Sequence, residues 1–383
     1  MSAVAPAFAA AFAEGDPRIL AERLLMQLPA GQQANLGILY VTEPTAPAVA
    51  EILRDLTAGT GTPLWVGGVG LGICAPGHEA HELPAAAVLT ASLPADGFRL
   101  FAATDDPARD LPRRHAQWIE AASPTLALVH GDPRCENLLR ATTDLAAATG
   151  AFLVGGLLSH RCAMPLVAGD TAEPQLVPQA LGKAGISGLL LAPQVAVATG
   201  LSQGCMPIGP VHRIDEAKDN VVMVIDGRPA LSVFTEDIGP ALARDMRRLG
   251  GLIFAGLPVT GSDTGDYLVR NLMAIDPRQG WIVLGAEVAP GDPILFCRRD
   301  PDSARADLAR MLTQLKGRLP GPPKGGIYVS CIARGAALFG ETGVETGLIR
   351  DTLGEFPLIG FFANGEISRD RLYGHTGVLT LFT

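Results

Sequence analysis

The feature that most constrains the fold is a pattern that the chain repeats three times. Each copy begins with a short apolar run, continues with apolar residues at helical spacing, and returns to a second apolar run beside glycine. The copies begin at Leu36–Val41, Leu126–Val129 and Ile327–Val329. Strand, helix and strand in this order predict a βαβ unit, whose two strands are parallel and joined by a right-handed crossover. A further apolar run closes each copy, and we expect it to add an antiparallel strand.

Glycines punctuate the three copies at corresponding places. We expect the helices to stop at Gly59, Gly150 and Gly354, because glycine adopts the left-handed conformation that ends many helices. We expect turns at the glycines of the second runs, namely Gly67-Gly68, Gly155-Gly156 and Gly360. In copy two, Asp132 suits a helix N-cap and Pro133 the first helical turn.

Between copies two and three the pattern changes to successive short strands. Val221–Ile225 and Ala230–Phe234 flank Asp226-Gly227, which favours a hairpin turn. The composition shifts near residues 210–220, and we place a domain boundary there, with domains at 1–215 and 216–383. The expected fold class is α/β, with repeated β-α-β-β units forming mixed sheets flanked by helices in two domains.

Composition excludes several classes of protein. A hydrophobic content of 48% is too high for a disordered chain. The net charge of −9, without a basic stripe, argues against nucleic-acid partners. The longest uncharged stretch, 184–211, is interrupted by Gly and Pro, so we expect no membrane partner. Residues 1–13 lack the basic start of a signal peptide, and we expect an amphipathic helix there and a cytoplasmic protein.

The residues that flank each possible cofactor or metal motif argue against such a site. Gly70–Ala75 matches G-x-G-x-x-A, but Pro76-Gly77 prevents the helix that a dinucleotide site needs. His78–Glu82 is not H-E-x-x-H, and a solvated loop is favoured over a metal or haem site. The six cysteines include no C-x-x-C pair and are expected to be reduced. We therefore expect no cofactor and no metal.

The strand ends of copy three offer the best candidate site. Ligands of open parallel sheets bind beyond the carboxyl ends of the strands. In copy three these ends carry Cys331 and Arg334 on one strand and Asn364 and Glu366 on its neighbour. An arginine can bind a carboxylate and a glutamate can accept an ammonium, which suits an amino-acid-like ligand. The alternative is a structural salt bridge between Arg334 and Glu366.

Copy two carries a similar but weaker set of polar residues at its strand ends. Asp132 and Arg134 follow the first strand, and Ser159, His160 and Arg161 follow the second. We include Ser159 and Arg161 among the candidate ligand-binding residues.

Four segments carry a resemblance to a known family, namely Gly155–Ser159, Val221–Leu231, Ser330–Gly335 and Pro357–Glu366. They resemble the FIST family, in which an N-terminal FIST domain precedes a C-terminal one. The resemblance extends from about Leu36 to Leu381 and is most specific near the C-terminus. It implies a sensory protein for small ligands, amino acids among them, in bacterial signal transduction. Some relatives are haem-binding nitric-oxide sensors, and eukaryotic relatives occur in ubiquitin-ligase adaptors.

Four functions follow as hypotheses. The leading one is a small-ligand-binding sensory protein whose ligand is an amino acid or similar small carboxylate. The 383 residues leave no room for an attached kinase or cyclase, so we expect a separate signalling partner. The second hypothesis is an enzyme with Cys331 as nucleophile, for which His375 is the only candidate base within copy three. The others are a haem-based gas sensor and a protein–protein scaffold. The oligomeric state stays open.

Overall fold

The computed structural model describes residues 7–159, 161–162, 165–169, 185–244, 246, 249–259 and 266–383. The chain divides into two compact units, each formed by segments distant in sequence. Unit 1 comprises residues 1–202, 308–372 and 376–383, and unit 2 comprises residues 203–307 and 373–375. The boundary near residue 215, expected from composition, stays a prediction about sequence domains, since these units divide the chain differently.

Strands and helices alternate through the first half of unit 1. In chain order the elements before residue 92 are β1 (Phe8–Glu14), α1 (Leu20–Leu25), β2 (Leu36–Thr42), α2 (Val49–Thr60), β3 (Leu64–Gly70), β4 (Gly72–Ala75), β5 (His78–Ala80) and β6 (Ala85–Ala91). Those that follow are β7 (Phe98–Thr104), α3 (Pro107–Ala122), β8 (Leu126–Gly131), α4 (Leu138–Thr149), β9 (Phe152–Leu157), β10 (Pro165–Ala168) and β11 (Ile186–Leu191).

The remaining elements include all those of unit 2. First come β12 (Val197–Gln203), β13 (Cys205–Pro207), β14 (His212–Lys218), β15 (Val221–Ile225), β16 (Arg228–Pro229), α5 (Ala230–Ala243), β17 (Ile253–Pro258), β18 (Tyr267–Asp276), β19 (Trp281–Leu284) and β20 (Pro293–Arg299). The last are α6 (Pro301–Arg318), β21 (Gly325–Cys331), α7 (Ala336–Phe339), α8 (Val344–Leu353), β22 (Leu358–Ala363), β23 (Glu366–Ser368), β24 (Arg371–Tyr373) and β25 (Thr376–Phe382).

The threefold repeat is confirmed in the strand pairing of unit 1. The first two strands of each copy are parallel: β2 with β3, β8 with β9, and β21 with β22. The closing strands β6, β11 and β25 pair antiparallel with the first strand of their own copy. The α/β class with mixed sheets and flanking helices is therefore correct.

Each of the three sheets of unit 1 also takes a strand from another copy. β10 of copy two pairs with β3, β23 of copy three pairs with β9, and β4 of copy one pairs with β22. This cyclic exchange ties the three copies together by backbone hydrogen bonds. It brings the ends of strands from different copies close together in one unit.

Equivalent residues of the three copies fill one shared core. Ile38, Leu128 and Ile327 occupy the same place in β2, β8 and β21, and all are at most 2% exposed. The opposite faces of the sheets pack against helices in separate clusters, with α2 covering copy one, α4 copy two and α6 and α8 copy three. Alternation along a strand therefore places one set of side chains in the shared core and the other beneath helices.

The glycines expected at turns lie inside strands, so that expectation is wrong. Gly67, Gly155 and Gly360 lie opposite Leu39, Val129 and Tyr328 in the parallel pairs, respectively. At each of these three glycines an added Cβ would come within 1.9 Å of the opposing carbonyl oxygen. A side chain does not fit, and the position is therefore one of close backbone approach rather than of chain reversal.

Unit 2 is built on antiparallel pairs that close into a ring, in the order β20, β14, β15, β19, β18, β17 and back to β20. Asp226-Gly227 forms the expected hairpin turn, with both residues at positive φ. The expected strand at Ala230–Phe234 is wrong, because α5 begins at Ala230.

The His212 ring lies between two carboxylates, with Nδ1 2.6 Å from Asp226 and Nε2 2.9 Å from Asp237.

Three further local expectations need correction. Residues 8–14 form strand β1 rather than a helix, because they pair along their length with β6. Helix α2 passes through Gly59 and ends at Thr60, with Gly61 as its C-cap in the left-handed conformation. Asp132 does not cap α4, which begins six residues later at Leu138, and its carboxylate instead accepts from the N–H of Arg134.

Among the described residues, no helix has the length and apolar character needed to cross a bilayer.

Candidate functional site

A cleft of about 780 Å³ opens at the carboxyl ends of strands from all three copies. Its polar and charged lining residues are Glu43, Glu79, His81, Glu82, Arg161 and Arg334. Glu43 follows β2, Arg161 follows β9 and Arg334 follows β21. The position agrees with the rule that placed the candidate residues, since ligands of parallel strands bind beyond their carboxyl ends.

Arg334 forms the inner wall of this cleft and is held by a buried carboxylate. Its guanidinium lies 2.7 Å from Oε1 of Glu345, in the first turn of α8, and both side chains are at most 2% exposed. The same carboxylate accepts hydrogen bonds from the hydroxyls of Tyr328 at 2.7 Å and Ser330 at 2.8 Å. Arg334 is thus paired with Glu345, and the salt bridge with Glu366 that the sequence allowed as an alternative is not formed.

Arg161 and Ser159 both contact Glu43, although only Arg161 and Glu43 line the cleft. The hydroxyl of Ser159 donates to Oε1 of Glu43, and Nη1 of Arg161 lies 3.4 Å from Oε2. The Arg161 side chain is 75% exposed, whereas Ser159 is fully buried. Arg161 is therefore the more accessible of the two cleft arginines, since the Arg334 side chain is fully buried. His160, which lies between them in sequence, is outside the described residues.

The other candidates from copy three lie elsewhere. The Cys331 thiol hydrogen-bonds the Glu366 carboxylate, and both residues are buried. Glu366 also accepts from the N–H of Thr376 at 3.0 Å and from its hydroxyl at 2.7 Å. Asn364 is exposed at the turn after β22. None of these three is among the described residues that line the cleft, so the structure groups Arg334 with Arg161 and groups Cys331 with Glu366.

Glu366 is expected to make the stability of the protein depend on pH. Burial raises the pKa of its carboxyl to about 7, although the hydrogen bonds from Thr376, Gly365 and Cys331 oppose that shift. The folded state then binds more protons than the unfolded state between the unfolded pKa of about 4.5 and the folded value. The free energy of unfolding should therefore fall as pH rises through this window, by up to about 3 kcal/mol in total.

Urea unfolding of wild type and Glu366→Gln at successive pH values between pH 5 and 8 tests this. The variant should show a flatter dependence, because its side chain does not titrate. An equal slope in both proteins would contradict the assignment.

A second pair of cleft residues, Glu79 and His81, was expected to belong to a solvated loop. Glu79 instead lies in β5 with its side chain 1% exposed, and its Oε1 accepts from the N–H of Gly343 at 2.8 Å. The ring of His81 packs against Phe362 with centroids 4.6 Å apart, and its Nε2 lies 3.8 Å from Oε2 of Glu79. Among the described residues, no cluster of three His, Cys, Asp or Glu could hold a metal ion.

Sequence reasoning missed five residues of this site, and for one of them a signal existed. Glu43 directly follows the first strand of copy one, so the rule used for copies two and three would have found it. Glu345 had no such signal, because it lies in a helix eleven residues after Arg334. Glu79, His81 and Glu82 lie in or directly after β5, which pairs with β4. Strand β4 joins the sheet of copy three, and no local sequence pattern predicts that pairing.

Comparisons with known proteins agree with this architecture. The FIST N domain model matches residues 35–228, and the FIST C domain model matches residues 230–369. The uncharacterized protein Rv0628c of Mycobacterium tuberculosis is 32% identical over 370 residues, covering 92% of each chain. The uncharacterized protein Mb0898c of Mycobacterium bovis is 30% identical over 369 residues, again covering 92% of each chain. FIST domains are sensory domains for small ligands in signalling proteins. The repeat, the cleft at its strand ends and these matches together place the chain in the FIST family.

Proposed function

We propose that this protein binds an amino acid or similar small carboxylate in the cleft between Arg161 and Arg334. Occupancy would then be signalled to a separate partner protein in the cytoplasm. The observation that carries the proposal is the convergence of these two arginines, drawn from different copies of the repeat, on one concave site. A volume of about 780 Å³ is within the range of small-molecule sites.

The two arginines have different parts in this proposal. Arg161 is exposed and supplies a planar pair of donors that matches a carboxylate. Arg334 is immobilised by Glu345 and sets the electrostatic character of the inner wall. Cys331, Asn364 and Glu366, also expected to bind ligand, have no supporting contact with the cleft, and we assign them no part in ligand binding.

Thermal-shift measurements with the standard amino acids, acetate and succinate test the proposal. At least one compound should raise the unfolding temperature, because binding to the native state stabilises it by mass action. Arg161→Ala should weaken that ligand about tenfold, the effect of one charged hydrogen bond. Arg140→Ala is the matched control, since Arg140 is 81% exposed in α4 and does not line the cleft. Full affinity in Arg161→Ala, or no shift with any compound, would reject the cleft.

The cysteine enzyme is a second candidate, supported by one contact. The hydrogen bond between Cys331 and Glu366 gives the thiol a neighbour that can accept its proton, which the sequence did not identify. Cys331 as a whole is 4% exposed, however, so a substrate has little access to its thiol. Stoichiometric alkylation of Cys331 by iodoacetamide within minutes at neutral pH would favour the enzyme over the binding protein.

A further inference from the structure

The cleft carries more negative charge than its two arginines balance. Three of its described lining residues are glutamates and two are arginines. Arg334 lies 2.7 Å from Glu345, behind the cleft wall, and Arg161 lies 3.4 Å from Glu43. Both guanidinium charges therefore have a carboxylate partner. Within the residues that the structure describes, no arginine or lysine pairs with Glu79 or Glu82, and Glu79 has the His81 imidazole, charged only when protonated, beside it.

Glu79 differs from the other glutamates of the cleft in its burial and in its incomplete hydrogen bonding. Its side chain is 1% exposed, whereas Glu82 is exposed and Glu43 is 20% exposed. Oε1 accepts from the backbone N–H of Gly343, but Oε2 has no hydrogen-bond partner in the described part of the chain. Nε2 of His81 lies 3.8 Å from Oε2, which is beyond hydrogen-bond distance.

A carboxylate oxygen that is buried without a donor raises the free energy of the folded state. The same burial strengthens its attraction for a positive charge, because less water screens the interaction. A positively charged donor would both hydrogen-bond Oε2 and balance its charge. In addition, a second carboxylate in the cleft repels an anion from that position. The geometry thus points to a charged nitrogen beside Oε2.

We propose that the cleft selects small organic cations, alkylammonium or guanidinium groups, and that Glu79 anchors the charged nitrogen. This inference rests on the proposed function, because it concerns the same cleft. It goes further by making positive charge, rather than the carboxylate of the ligand, the feature that decides affinity.

His81 lies beside this anchor. Oε2 of Glu79 is buried, and the His81 ring near it is 30% exposed and lines the cleft. We expect an incoming nitrogen to displace the His81 ring in order to reach Oε2. Removing that ring by His81→Ala should preserve or strengthen the binding of cations.

Isothermal titration calorimetry with two matched pairs of probes tests the inference. L-Arginine is compared with L-citrulline, and n-butylamine with n-butanol, since the members of each pair differ mainly in charge. The cation of at least one pair should bind about tenfold more tightly than its neutral analogue, the strength expected of one hydrogen bond to a charged group. Glu79→Gln should reduce that ratio towards one, while Glu82→Gln, an exposed carboxylate of the same cleft, should retain most of it.

The outcomes separate this inference from the proposed function. A glutamine at position 79 can still accept from Gly343, and unfolding temperatures of the variants confirm their fold. Equal binding within both pairs, or an unchanged ratio in Glu79→Gln, overturns the cation preference. If a neutral or acidic compound still binds in an Arg161-dependent way, the proposed function survives that result. If no compound binds at all, both fail.

Discussion

Replacing Gly360 with alanine is expected to destabilise the protein by about 4 kcal/mol or more, or to prevent folding. The new methyl group would lie 1.9 Å from the carbonyl oxygen of Tyr328 and 2.8 Å from Sγ of Cys74. Neither atom can move away without a large cost in free energy, because one belongs to the backbone of a paired strand and the other is fully buried. The steric clash is relieved only if the paired strands β21 and β22 move apart.

Urea denaturation followed by circular dichroism measures this effect as a shift of the unfolding midpoint. Gly347→Ala is the matched control, because Gly347 lies within α8 and an added Cβ there meets nothing within 4 Å. That control should be stabilised by about 0.5–1 kcal/mol, since alanine favours the helix. The threefold repeat further requires that Gly67→Ala and Gly155→Ala be damaging. A midpoint for Gly360→Ala close to that of the control would disprove the close strand approach.

Removing the carboxylate of Glu345 is expected to cost about 3–5 kcal/mol, the usual effect of breaking a buried ion pair from one side. In Glu345→Ala the guanidinium of Arg334 would stay buried without this counter-charge. The hydroxyls of Tyr328 and Ser330 would lose their acceptor as well. Each buried donor left without a partner adds to the loss.

The control for this prediction lies on the same helix. Asp351 pairs with Arg350 at 2.9 Å, but its side chain is 65% exposed, so Asp351→Ala should change stability by no more than about 0.5 kcal/mol. Glu345→Gln keeps an acceptor of the same size and should fall between the two. The same denaturation assay compares all three variants. Equal midpoints for Glu345→Ala and Asp351→Ala would mean that water reaches Arg334 and that the ion pair is not buried.

Local sequence patterns were sufficient for the elements of the repeat. Apolar spacing located β2, β8 and β21 with their helices and parallel partners, because the side-chain periods of strands and helices are written in consecutive residues. The strand-end rule then selected Arg161 and Arg334, which do share one cleft. Cys331, Asn364 and Glu366, selected by the same rule, do not line this cleft, because the rule gives the end of a strand but not the direction or burial of a side chain.

Hydrogen-bond partners from distant segments of the chain could not be predicted from local sequence patterns. The hydrogen bond between Glu79 and Gly343 joins residues 264 positions apart. It depends on β4 of copy one joining the sheet of copy three, an exchange that leaves no local pattern. The glycines show the same limit: their presence was evident, but a turn and a close backbone approach both favour glycine.

The sequence by itself determined that this protein contains three α/β copies of one unit, because each copy encodes its own strands and helices. It also placed two arginines at strand ends. Only the tertiary structure decided how the copies exchange strands, which carboxylate holds Arg334, and that Glu79 lies buried beside the cleft. Those outcomes depend on contacts between segments far apart in the chain, and such contacts form only when burial and hydrogen bonding are satisfied for the whole unit at once.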